Sequence, residues 1–196
     1  MKVQTYWYLI FYAIHIIGNY YLIVYTNKTN ICEYQQLPDI LLDTNIYFEN
    51  LVPYMDILTL LFFIPLLFKN VFNNFEILFK FMGLVVFFRV ICNFSTLLPC
   101  LTSRYEEQRS REDYLLNYVI GHNYDKIFSG HASLVILCVL ITITNNLISD
   151  FSKLMMVILG IIYSILIVLT KQHYTVDVVL AYMIVIPLYF SIKDIV

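Results

Sequence analysis

The chain has 196 residues, 60% of them hydrophobic and only 13% charged, with a mean hydropathy of +0.75. A soluble domain of this length carries more charge and clearer amphipathic alternation, so the composition points to an all-α integral membrane protein. A formal net charge of −2, with no basic arm or stripe, argues against a nucleic-acid partner.

Taken in order, the apolar stretches predict a six-transmembrane helix bundle with spans at 5–25, 51–68, 75–95, 128–148, 154–170 and 175–191. The first is uncharged, with His15 at its middle. No small-residue cleavage site follows it, so it reads as an anchor and not a cleaved signal peptide. A polar connection at 28–50 carries Asp39, and Asn27-Lys28-Thr29 forms a glycosylation sequon at its edge. The second span is weakened by Asp56 and by Pro53 near its start. The third holds Glu76 and Lys80, four apart in the favourable order and suited to the interface. Arg89 lies deeper in that span, where a charge either snorkels outward or faces an internal polar cavity.

Residues 99–126 are the longest polar connection, and their dense mixed charge reads as a solvated face. The fourth span opens with Phe128-Ser129-Gly130-His131, and a tight hairpin at 171–175 separates the fifth span from the sixth. With no Gly/Ser-rich or Pro-rich linker, residues 1–196 form a single membrane domain. Alternation of six spans puts the connections 28–50, 99–126 and 171–175 on one face. Asp39, Asp125, His131 and His173 gather there, with Arg89 beneath them. Counting basic residues does not decide which side of the membrane that face is on. Among the four cysteines, Cys92 and Cys138 read as core residues. Cys32 and Cys100 share the site face, which leaves a disulfide between them open.

His173 and Asp177 are four apart, so a helix opening here sets them one turn apart on the same face. A carboxylate so placed can accept one ring N–H and leave the other nitrogen to react. Two histidines, one carboxylate and an arginine suit phosphoryl transfer. One imidazole attacks phosphorus, the second moves protons, and the cation steadies the equatorial oxygens. Ser129 fits the N-cap of the helix that follows, and Ser129-Gly130 lies where free backbone N–H groups can hold a phosphate. Two other readings stay open: ordinary interfacial histidines at helix ends, or a metal site built from His131, His173 and Asp177, although no metal-binding motif is recognisable.

Phe128-Ser129-Gly130-His131 followed by His173-Tyr174-Thr175-Val176-Asp177-Val178-Val179 resembles the paired signature of the sphingomyelin synthase family, a branch of the type 2 phosphatidic acid phosphatase superfamily. Asp125 stands where that family's Cys-Gly-Asp motif has its Asp, with Asn123-Tyr124 in place of Cys-Gly. Arg89 through Thr96 to Leu98-Pro99 resembles the third-helix motif. Leu37-Pro38-Asp39, after Gln36, resembles Pro-Leu-Pro-Asp. The motifs keep family order from about residue 35 onward, and Ala132 replaces the usual Thr.

The resemblance implies a site on the lumenal or exoplasmic side of a Golgi, endoplasmic reticulum or plasma membrane. It also implies catalytic roles for His131, His173 and Asp177, and substrate binding by Arg89, Asp125, Ser129, Gly130, Asp39 and Tyr174. The implied reaction moves a phospho-head group from a glycerophospholipid to the primary hydroxyl of ceramide and releases diacylglycerol, with no cofactor. Its partners are these lipids, and a homo-oligomer is left open. A lipid phosphate phosphatase using water as acceptor is the alternative, although no Lys-x6-Arg-Pro-like clamp precedes His131. A lipid-binding relative without activity is the third reading.

Overall fold

The computed structural model describes residues 6–29, 39, 41, 48–95 and 127–193, and no strand occurs among them. Its helices are α1 (Trp7–Thr29), α2 (Met55–Leu61), α3 (Val71–Ser95), α4 (Gly130–Thr144), α5 (Asp150–Leu169) and α6 (Thr175–Ile192). Asp125, Cys32, Cys100 and the motif residues Leu37, Pro38 and Thr96 to Pro99 lie outside the described residues.

Three stretches are long and apolar enough to cross a membrane: Asn50–Leu67, Asp150–Leu169 and Thr175–Ile192. Only 33% of the α5 stretch and 28% of the α6 stretch is buried within the protein. The remainder exposes residues such as Phe151, Leu154, Ile162, Met183 and Phe190. An apolar surface that continuous calls for lipid as its solvent, and the protein is integral to a membrane.

Three expected boundaries shift. The 51–68 stretch is not one regular helix, because 3-10 turns at Glu49–Tyr54 and Ile64–Leu67 flank the seven residues of α2. Pro53 lies inside the first turn and Pro65 at the start of the second; each lacks an N–H for the helical ladder. The expected 128–148 span contracts to the 15 residues of α4, closed by Ser129 before it and Asn145-Asn146 after it. Helix α1 runs on through Thr29, so the sequon falls within its last turn and not in the loop.

Helices α1 and α3, at 23 and 25 residues, run parallel. Tyr12 donates its hydroxyl to the Phe79 carbonyl near one end, and further along a Cβ on Gly18 would fall 2.8 Å from Val90 Cγ1. Close backbone approach through a small residue is the usual way membrane helices pack when no hydrophobic drive separates helix from lipid. Helix α4 is central and touches α3, α5 and α6. Its faces supply Val135, Leu137, Cys138 and Ile141 to the core. Hydroxyl pairs cross between elements: Thr59 with Tyr163 at 2.6 Å, Thr144 with Tyr189 at 2.6 Å and Ser164 with Tyr182 at 2.9 Å.

Two helix ends close in the same way. After α5, the Lys171 N–H donates to the Val168 carbonyl and the Gln172 N–H to the Ile167 carbonyl, with Lys171 left-handed at φ 56°. After α4, the Asn146 N–H donates to Ile143 and the Leu147 N–H to Thr142, with Asn146 at φ 48°. This double bond pattern satisfies the last carbonyls and reverses the chain within a few residues. A β-branched side chain resists the left-handed region, so Lys171→Val should cost about 1–2 kcal/mol and lower the melting temperature in detergent, while Lys171→Gly should not.

Candidate active site

The site begins with two helix starts tied together. Ser129 caps α4, its Oγ accepting the Ala132 N–H at 3.1 Å. The Ser129 N–H in turn donates to the Asp177 carbonyl in the first turn of α6, also at 3.1 Å. Ser129 and Asp177 are both fully buried.

His173 precedes α6 and does not lie on it, which corrects the expectation of a shared helical face. Tyr174 is extended at φ −72° and ψ 156°, and the helix starts only at Thr175. Asp177 points back along the chain, its Oδ2 accepting the Tyr174 N–H at 3.0 Å. His173 Nδ1 lies 3.7 Å from the same oxygen, close enough for an ion pair and too long for a hydrogen bond. The spacing of four thus unites the two groups through the turn that opens the helix. The Tyr174 ring is buried in the core, so its backbone N–H, not its hydroxyl, is what it supplies to Asp177.

Asp39 reaches the same turn from far away in the sequence. Its Oδ2 accepts the Thr175 N–H at 2.7 Å, its Oδ1 the Thr175 hydroxyl, and Oδ1 also accepts the Leu41 N–H at 3.0 Å. The first-turn N–H groups of a helix have no intrahelical acceptor, and carboxylates are favoured beside them. Asp39 and Asp177 together accept the Thr175 and Tyr174 N–H groups at the start of α6 and hold the hairpin that carries His173.

Arg89 faces inward. It is 7% exposed, and a Cβ built on Gly130 would stand 3.0 Å from the guanidinium carbon and closer still to Nη1. The absent side chain of Gly130 is therefore the space that the Arg89 guanidinium occupies at the mouth of α4. Residue 131 follows directly, and the His131 and His173 rings are 6.3 Å apart, centroid to centroid, at 65°. Arg89, Ser129, Gly130, His131, His173 and Asp177 form one cluster.

The sequence did not mark Asp56 as a site residue, but its Oδ1 lies 3.0 Å from His131 Nε2. Its one signal was a lone carboxylate inside an otherwise apolar stretch. On α1, Asn19 donates to His15 Nε2 at 3.1 Å, and this buried pair sits on the helix that packs against α3. Among the described residues, no group of three or more His, Cys, Asp or Glu side chains is placed to hold a metal ion.

Residues 124–194 match the family model described as PAP2 superfamily C-terminal. That stretch is similar to the type 2 phosphatidic acid phosphatase superfamily. It covers α4 to α6 with His131, His173 and Asp177, and this similarity fits a lipid phosphatase or phosphotransferase activity. No curated protein matches the chain.

Any side chain at position 130 must displace the guanidinium. Gly130→Ala should therefore lower activity about a hundredfold, since misplacing a charge by about 1 Å is enough. Insertion and melting temperature should stay near wild type, as checked by protease protection and thermal unfolding in detergent.

Proposed function

We propose that this protein is a sphingolipid head-group phosphotransferase with six spans and its site on the lumenal or exoplasmic side. The observation that carries the chemistry is the pair of imidazoles 6.3 Å apart, one beside the buried Asp177 and the other next to the Gly130 backbone against which Arg89 packs. The resemblance of His173 to Val179 and of Phe128 to His131 to the sphingomyelin synthase signature supports the lipid class. The superfamily match supports head-group chemistry in general.

In this reading Asp177 lies on the Nδ1 side of His173 and leaves Nε2 to attack phosphorus. The new P–N bond forms as the bond from phosphorus to the diacylglycerol oxygen breaks, and His131 gives that oxygen its proton. The ceramide hydroxyl then attacks phosphorus, His131 takes back a proton, and the P–N bond breaks to free His173. Arg89 offsets the negative charge on the equatorial oxygens throughout. With its buried carboxylate neighbour, the His173 ring is oriented before substrate arrives, and Asp39 holds the turn from outside.

The test uses membranes containing the protein, a fluorescent ceramide, and a mixture of phosphatidylcholine, phosphatidylethanolamine and phosphatidylinositol. A new phosphosphingolipid should form with wild type and not with His173→Ala, and its chromatographic mobility names the head group. In a parallel assay with phosphatidic acid, phosphate release without any ceramide product in the first would assign the alternative, a phosphatase with water as acceptor. Asp177→Asn should fall about 10²- to 10⁴-fold in turnover, by loss of the charge that favours the cationic ring. Near-normal turnover in that variant would show that His173 is held by other groups.

A further inference from the structure

Asp56 sits in the first turn of α2 within a stretch apolar enough to cross the membrane. A carboxylate there is costly, and such residues in spans mark function more often than packing. Its place is set by buried neighbours. Met55, the residue before it, is fully buried. One turn on, the Thr59 hydroxyl bonds the Met55 carbonyl at 3.0 Å and the Tyr163 hydroxyl at 2.6 Å, which ties α2 to α5. From this anchored turn the carboxylate reaches across 75 residues of sequence to His131 Nε2. Arg89 at Gly130, the His173 ring, the buried Asp177 beside it and the Tyr163 hydroxyl on α5 are other charged or titratable groups near this pair among the described residues.

We infer that Asp56 is a positioning residue for His131, an inference that rests on the phosphotransfer reading above. The carboxylate accepts the Nε2–H, which selects the tautomer and turns Nδ1 toward the substrate. In the first half-reaction His131 carries protons on both nitrogens, and the Nδ1 proton passes to the diacylglycerol oxygen. In the second half-reaction Nδ1 takes the proton of the ceramide hydroxyl. Asp56 keeps its charge throughout and gives up no proton. The second transmembrane stretch, broken by its two prolines, thus becomes part of the active site.

The test compares wild type with Asp56→Ala, Asp56→Asn and Asp56→Glu on two donors with the same phospho-head group. One is the natural glycerophospholipid, whose leaving oxygen needs a proton; the other is a p-nitrophenyl ester, whose leaving group does not. On the natural donor, Asp56→Ala should lower kcat roughly 10- to 100-fold with little change in KM, and Asp56→Glu should recover part of it. Release of p-nitrophenolate in the first turnover should stay near the wild-type rate. An equal fall on both donors would mean that Asp56 only holds the fold, and no fall, or a gain, on the natural donor would overturn the inference. A second measurement does not depend on turnover. Carbethoxylation of the histidines, read by peptide mass spectrometry, should speed up at His131 and stay unchanged at His173 in Asp56→Ala. Unchanged labelling at His131 would also overturn the inference, whereas a wild type inactive on every donor would count against the phosphotransfer reading alone.

Discussion

The backbone hydrogen bond from the Ser129 N–H to the Asp177 carbonyl, 3.1 Å long, is the constraint from which the rest of the site hangs. It joins the start of α4 to the first turn of α6, the two places where the chain presents its histidines. The start of α4 then offers its positive end to the region of the two histidines, where an anionic phosphate is favoured. Because the bond is made by main-chain atoms, it survives side-chain substitution at either position. The side chains add direction: Ser129 caps α4, while Asp39 and Asp177 occupy the N–H groups at the start of α6.

Elsewhere the polar groups of a lipid-embedded chain have few partners, and the helices solve this locally. Thr59, Thr142, Thr144 and Ser164 each donate a hydroxyl to the carbonyl four residues back. Tyrosine hydroxyls then bond three of these side chains from a second segment. Such bonds between membrane helices average about 0.6 kcal/mol. Their value lies in register more than in stability. The Thr59–Tyr163 bond, for example, sets the height of α2 against α5 and with it the height of Asp56.

Much of this was readable from residue order. A serine before an apolar run announces an N-cap, and Ser129 is one. Local chemistry also drew attention to His173 and Asp177, although the fold unites them through an extended Tyr174 and not along a helical face. Three features had no local signature. The end of α5 uses a left-handed lysine where glycine is the usual choice, so nothing in Thr170-Lys171-Gln172 announces the closure. Asp56 and His131 are 75 positions apart, and only the packing of α2 against α4 brings them into contact. The role of Gly130 depends on Arg89 arriving from another helix, and composition cannot report a shape made by absence. Asp125 belongs to the same motif set but lies outside the described residues.

The hairpin between α5 and α6 has one further consequence. Only residues 170–174 join the two helices, its first end is locked by the Lys171 turn and its second by two carboxylates. A loop so short and so thoroughly pinned cannot swing as a lid, and the backbone that carries His173 keeps its place beside Asp177. Under the proposed exchange of one lipid alcohol for another, His173 would therefore act from a fixed post. In the proposed transfer, the departing diacylglycerol and the arriving acceptor would exchange places around it by sideways diffusion in the bilayer.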